Sequence, residues 1–260
     1  MKFQDNLEKA VVKSNSLLCV GLDPDIEKLK PSETLFLFNK WIVDQTADLV
    51  CAYKPQIAFY AASGIKDLGD LKKTIGYIHK NYPHIPVILD AKMGDIASTS
   101  EMLVKEVFDV FEADAVTVNP YLGEDALEPF FKRKDKGIII LCRTSNPSSK
   151  DLQDLKIDGE PLYVKVAKKI TSWDKKYKNL LMVVGATYPS ELKNIRQIAP
   201  DMTFLVPGIG AQRGDLKSTL LNGIRKDGKG LIITSSRVII YDQNPRIAAQ
   251  KLRNEINKYR

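Results

Sequence analysis

The chain has 260 residues, of which 44% are hydrophobic and 27% charged, an ordinary globular composition that excludes a disordered chain. Its formal charge of +7 suits nucleic acid or a small anion, but Lys165, Lys168, Lys169, Lys175, Lys176 and Lys178 recur at helical spacing without interleaved aromatics, as a solvated face does, so a nucleic-acid partner is not expected. The first residues lack the apolar core of a signal peptide and no apolar stretch is long enough to span a bilayer, so neither secretion nor a membrane partner is expected.

In chain order, Phe3 to Lys13 is an amphipathic helix, and Leu17–Leu22 a strand ending in Asp23-Pro24-Asp25. Ser32 is placed to cap a helix over about 35–50. Cys51-Ala52-Tyr53 leads to the second strand end, Lys54-Pro55-Gln56, and a helix runs from Leu71 to Tyr82. The third strand, Ile85–Leu89, leads to Asp90-Ala91-Lys92-Met93-Gly94-Asp95. Strand alternation puts Asp90 and Lys92 on one face. Gly94 allows a turn, and Asp95 stands where a helix N-cap belongs. His79 and His84 fall at the opposite end of this strand and are not expected to be ligands or catalysts. A helix follows over about 99–111.

Ala115–Val118 is the fourth strand, ending in Asn119-Pro120-Tyr121-Leu122-Gly123. Gly137–Leu141 is the fifth, ending in Arg143-Thr144-Ser145. The long polar segment 144–159 is placed to act as a lid, or is simply surplus loop. A helix covers 162–177, Leu180–Val184 is the sixth strand, and another helix covers 190–198. Thr203–Val206 is the seventh strand, before Pro207-Gly208-Ile209-Gly210-Ala211-Gln212. Leu231–Thr234 is the eighth, before Ser235-Ser236-Arg237, and a helix over 246–259 closes the chain. Short β-rich runs alternating with helices mean parallel βαβ units. Eight of them in this length predict an α/β fold of (β/α)8 (TIM) barrel type, as a single domain over residues 1–260. Cys19, Cys51 and Cys142 lie in or beside apolar runs, an odd set that suggests a reducing cytosol rather than a disulfide framework.

Barrel enzymes work at the carboxyl ends of their strands. Those ends carry Asp23, Lys54, Asp90, Lys92, Asn119, Ser145, Gln212 and Arg237. Each alone serves equally as a cap or ion pair; their convergence on one face is what points to a site. The glycines after strand seven and Arg237 after strand eight fit a phosphate, through backbone N–H groups, a helix N-terminus and a bidentate guanidinium. Carboxylates at 90 and 95 favour the ammonium form of Lys92, which suits proton donation better than Schiff-base attack. With no CxxC and no HExxH, a metal site is not expected.

Gly21-Leu22-Asp23-Pro24, Lys54-Pro55-Gln56-Ile57-Ala58-Phe59-Tyr60, Asp90-Ala91-Lys92-Met93-Gly94-Asp95-Ile96, Val118-Asn119-Pro120-Tyr121-Leu122-Gly123 and Pro207-Gly208-Ile209-Gly210-Ala211-Gln212 together resemble the orotidine 5′-phosphate decarboxylase family, in its longer bacterial subgroup. The hexad alone is shared with sugar-phosphate decarboxylases and synthases of the same superfamily; the other segments make the match specific. The resemblance implies a cytoplasmic, cofactor-free and metal-free homodimer with shared active sites. It would convert orotidine 5′-monophosphate to UMP and carbon dioxide, the last step of de novo pyrimidine nucleotide synthesis. By motif, Lys92 protonates C6, Asp90 lies against the departing carboxylate, and Lys54 and Asp95 complete an alternating array, with Asp95 from the second subunit. Asp23, Lys54 and Thr99 hold ribose hydroxyls, Ser145 reads the pyrimidine edge, and Gln212, the backbone near Ser236, and Arg237 bind phosphate. Ile96, Asn119 and Pro207 complete the substrate-binding set. Met93 and Ala97 stand where the subgroup usually has Arg and Gly; Ile209 replaces an aromatic, and Arg213 and Val238 each replace a Gly.

Overall fold

The computed structural model describes residues 2–29, 33–209 and 215–260. Eight parallel strands, β1 (Leu18–Leu22), β2 (Ala52–Pro55), β3 (Ile88–Met93), β4 (Ala115–Val118), β5 (Gly137–Arg143), β6 (Leu180–Val184), β7 (Phe204–Val206) and β8 (Leu231–Ser235), form one sheet. Each strand pairs with its chain neighbours, and β1 pairs with β8, Leu18 opposite Ile233. The seam between β2 and β3 is bridged at Tyr53–Val87 and Gln56–Asp90, which closes the (β/α)8 barrel. A barrel strand faces packed side chains inside and helices outside, which is why these runs are apolar throughout rather than alternating.

The helices obey the 3.6-residue period. In Leu162–Tyr177 the buried residues are Tyr163, Val164, Ala167, Ile170, Trp173 and Tyr177. Lys168, Lys169, Lys175, Lys176 and Lys178 are exposed, the solvated face expected from their spacing. Phe3–Ser14 closes the amino end of the barrel, with the Phe3 ring seated directly on Gly137, where a Cβ would fall 2.3 Å from the ring. His79 also sits at that end, 2.9 Å from Asp114 just ahead of β4, away from the acids of the hexad.

Several expectations need correction. Strand β3 begins three residues later than its apolar signal and runs on to Met93, because the first four residues of the hexad, Asp90 to Met93, continue the strand. The 35–50 helix ends at Thr46, and Thr34 caps it by accepting the Leu37 N–H; the Ser32 position lies outside the described residues. Helices Glu124–Phe131, which contains Pro129, and Leu216–Gly223 carry too short a pattern to have been expected. Segment 144–159 is not plain loop. It holds a 3₁₀ turn at Pro147–Ser149, a helical turn at Lys150–Gln153 and part of a small hairpin. The hairpin turns at Asp158-Gly159, with φ of 52° and 79°, the positive pair such a two-residue turn needs.

Candidate active site

The carboxyl ends of the strands bring Lys54, Asp90 and Lys92 together. The Lys54 ammonium donates to Asp90 Oδ2 at 2.9 Å and the Lys92 ammonium to Asp90 Oδ1 at 2.6 Å. Lys54 and Asp90 are buried, while the Lys92 side chain is 45% exposed. Burial alone would push the Asp90 carboxyl up, but the charges and hydrogen bonds of Lys54 and Lys92 hold it well below the usual carboxylate range. Burial likewise works against the Lys54 ammonium, and Asp90 and Asp23 outweigh it, so its pKa is raised. Lys54 and Asp90 therefore stay charged at neutral pH, as a buried pair must to justify its desolvation.

Local geometry differs from a plain strand. Leu89 pairs with Val116 and Met93 with Val118, so β3 carries two more residues than β4 between the same rungs. Lys92 takes the left-handed region at φ 49°, and Ala97 does the same at φ 45°. The turn is made by these two residues and not by Gly94, whose φ is not positive. Gly94 has a different use: a Cβ there would lie 3.0 Å from the Asn119 carbonyl oxygen. The N-cap expected of Asp95 falls to Ile96, which has no side-chain cap; the helix begins at Ala97, and Asp95 Oδ1 accepts the Ile96 N–H at 2.7 Å. Asp95 makes no ion pair with a lysine among the described residues, so this chain brings together three of the four residues expected to form the array.

Two cavities meet over the array, sharing Lys54, Asp90 and Pro207. One, of about 350 Å³, lies toward β1, β7 and β8 and is lined by Asp23, Gly208, Ser236 and Arg237 among others. Gly208 has φ 106°, a backbone state open to glycine, and Gly21 leaves room for Ser236, whose Cβ a side chain at 21 would meet at 2.8 Å. Asp23 Oδ1 accepts the Gln56 N–H at 3.1 Å, and Arg237 is exposed at the start of a helix of only four residues, Arg237–Ile240. The other cavity, of about 400 Å³, is lined by Lys92, Thr117, Leu141 and Ser145. Its rim segment is anchored from below by Arg143, whose fully buried guanidinium reaches Ser149 Oγ at 2.9 Å and Asp154 Oδ1 at 3.1 Å and stacks 4.1 Å from the Tyr188 ring centroid.

Not every expected residue joins these walls. Asn119 uses its side chain to accept the Tyr121 N–H and lines neither cavity. Ile96 and Thr99 are exposed beyond the rim. Gln212 and Arg213 lie outside the described residues. Met93 is half-buried at the end of β3, and Ile209 and Val238 line the cavity toward β1, β7 and β8. Thr117 and Gln56 were missed: Thr117 sits inside the apolar run of β4 and reads as core, and its use appears only once β3 is seen to bulge toward it.

A closed parallel barrel with a Lys–Asp–Lys array between two cavities at the carboxyl ends of its strands has the form of a barrel-enzyme site for a small molecule. Residues 16–252 match the family model described as orotidine 5′-phosphate decarboxylase / HUMPS family. The chain is 52% identical to the orotidine 5′-phosphate decarboxylase of Cellvibrio japonicus, with 99% of this chain and 98% of that protein covered. It is 47% identical over the full length of both chains to the same enzyme of Ralstonia nicotianae. The solved structure of Leishmania donovani OMP decarboxylase superposes with a TM-score of 0.91 at 39% identity, covering 100% of this chain and 99% of that one. The chain belongs to the orotidine 5′-phosphate decarboxylase family.

The left-handed backbone at Ala97 is costly for a residue with a Cβ, and glycine removes that cost. Ala97→Gly should therefore raise the unfolding free energy by about 1 kcal/mol. Urea denaturation at fixed protein concentration checks this, and a destabilised variant would show that the φ at 97 carries no strain.

Proposed function

We propose that this site decarboxylates orotidine 5′-monophosphate to UMP and carbon dioxide, with the whole chain acting as one barrel domain. The observation that carries the reading is the position of the array at the junction of the two cavities, so that one ligand spans a phosphate-side pocket and a base-side pocket with its reacting carbon over Lys92. Arg237 and the backbone around Gly208 and Ser236 would take the phosphate, joined by Gln212. Asp23, Lys54 and Thr99 would take the ribose hydroxyls. Ser145 would read the pyrimidine edge, and Pro207, bordering both cavities, would pack against the ring; Ile96 and Asn119 would bound the site from the β3 and β4 side.

The chemistry follows from charge. Loss of carbon dioxide leaves an sp² carbanion at C6 with no electron sink. Lys92, whose side-chain nitrogen lies 2.6 Å from the Asp90 carboxylate, is a proton source for that carbon. Asp90 already accepts from both lysines, so a substrate carboxylate brought beside it meets an ionised neighbour. Departure of neutral carbon dioxide removes that repulsion while the lysine charges remain to stabilise the developing carbanion. Binding energy from the remote phosphate and ribose is needed to hold the substrate there, since enzymes at the upper range lower barriers by roughly 23 kcal/mol and one ammonium cannot supply that.

Asp95 supports a homodimer with shared sites. Its carboxylate is turned to its own chain's Ile96 N–H rather than the array. Beside it the segments after β3 and β4 expose Ile96, Met102, Tyr121 and Leu122, an apolar surface suited to a second copy. Three free thiols, Cys19, Cys51 and Cys142, are buried, and burial pushes Cys51 and Cys142 up to about 12. Unpaired thiols fit the reducing cytoplasm, where we place the enzyme. No helix among the described residues is long and apolar enough to cross a membrane.

Among the described residues no three His, Cys, Asp or Glu side chains converge as metal ligands would. Ultraviolet assay of orotidine 5′-monophosphate loss should therefore show full activity after exhaustive EDTA treatment. Loss of activity with rescue by magnesium would favour the sugar-phosphate chemistry that the hexad also serves. A second experiment tests the shared site. Lys92→Ala and Asp95→Ala homodimers should each be nearly inactive. Refolding the two together makes half the dimers mixed, each with one intact site, so roughly a quarter of wild-type activity should return. Mixed dimers that form and stay inactive would place Asp95 in its own chain's site.

A further inference from the structure

Strand β3 reaches the array through the bulge between Leu89 and Met93, and a bulge leaves ladder groups without their regular partners. Two consecutive N–H groups, those of Ala91 and Lys92, point at one acceptor, Thr117 Oγ1 on β4, each at 2.9 Å. In a regular strand, successive N–H groups face opposite edges, so this convergence belongs to the bulge alone. With both of its lone pairs occupied, the Thr117 hydroxyl is left with its proton to give, and the acceptor in reach is Asp90 Oδ1 at 2.8 Å. That oxygen is also the one that holds the Lys92 ammonium. Thr117 itself is buried, and its side chain is on the wall of the base-side cavity.

We propose that Thr117 is a positioning residue for the decarboxylation: one hydroxyl fixes the left-handed backbone of Lys92 and, through its proton, the rotamer of Asp90, so that acid and ammonium are held at one mutual geometry. Resting on the decarboxylase reading, this adds to it a residue outside the charged hexad. A donor is required there and not merely a small β-branched side chain. Valine has the same shape as threonine, but would leave two partly buried N–H groups without this acceptor and Asp90 Oδ1 with one donor fewer. Serine would keep every one of these bonds.

The test compares wild type, Thr117→Val and Thr117→Ser with orotidine 5′-monophosphate, measuring kcat, KM, the dissociation constant of UMP and the melting temperature. Thr117→Val should lower kcat roughly ten- to a hundredfold, the loss of a hydrogen bond to a charged group at the reacting centre. Its KM and UMP affinity should stay within about twofold, because the phosphate and ribose contacts are untouched. Thr117→Ser should retain wild-type kcat. The inference is overturned if Thr117→Val keeps wild-type kcat, or if KM and UMP binding weaken as much as kcat falls. It is also overturned if a Thr117→Ser enzyme that melts like wild type has lost kcat, and this arm decides even if the valine variant does not fold. Wild-type enzyme that fails to turn over the substrate would overturn the decarboxylase reading instead.

Discussion

The site depends on one carboxylate shared between two ammonium groups. Asp90 accepts from Lys54 on one oxygen and from Lys92 on the other. Removing Asp90 would leave both ammonium groups, the buried Lys54 among them, without this carboxylate, and breaking such pairs is far more costly than forming them is favourable. The barrel supplies what this arrangement needs. Lys54 comes from β2, Asp90 and Lys92 from β3, and the seam between those strands is the weakest part of the closure, held by isolated bridges at Tyr53–Val87 and Gln56–Asp90. One of those bridges is made by Asp90 itself, so the backbone that closes the barrel also carries the acid at its centre.

The surrounding structure divides the labour. On the β1, β7 and β8 side, glycine-lined backbone and Arg237 border one space, while on the β4, β5 and β6 side a second borders Lys92 and Ser145. The array lies at the boundary of the two, so in the proposed function a substrate tethered in the first space would present its ring to the second. Such an arrangement lets binding energy far from the reacting carbon hold that carbon against a like charge. Arg143 serves the same end from below, since its buried guanidinium gathers Ser149 and Asp154 from the segment that carries Ser145.

Much of this was legible in the chain. Polar residues closing apolar strands located Lys54, Asp90, Lys92 and Ser145, because strand ends and side-chain alternation are local properties. Less legible was whatever depended on register. The two extra residues in β3 change which groups meet, and no local pattern announces them, so Thr117 read as one more core residue and Gly94 as the turn that Lys92 and Ala97 in fact make. Asn119 reads as a strand-end polar residue, and its side chain also caps the 3₁₀ turn at Pro120–Leu122, a use that depends on the turn following it. Asp95 stands out by motif, yet within this chain its carboxylate turns to the Ile96 N–H and not to the array, which no local pattern announces.

The central claim is that Asp90 is ionised and held so by both lysines. Carbon-13 NMR of the carboxyl groups, with the Asp90 signal assigned by its loss in Asp90→Asn, measures this directly. Because its folded-state pKa is depressed, its contribution to stability is present above the unfolded value and is lost only as pH falls through the lower folded value. The Asp90 resonance should therefore remain at its ionised position from neutral pH down to about 4, the ordinary aspartate value. A titration midpoint at or above about 4 would mean that desolvation outweighs the two ammonium groups, and would contradict the account.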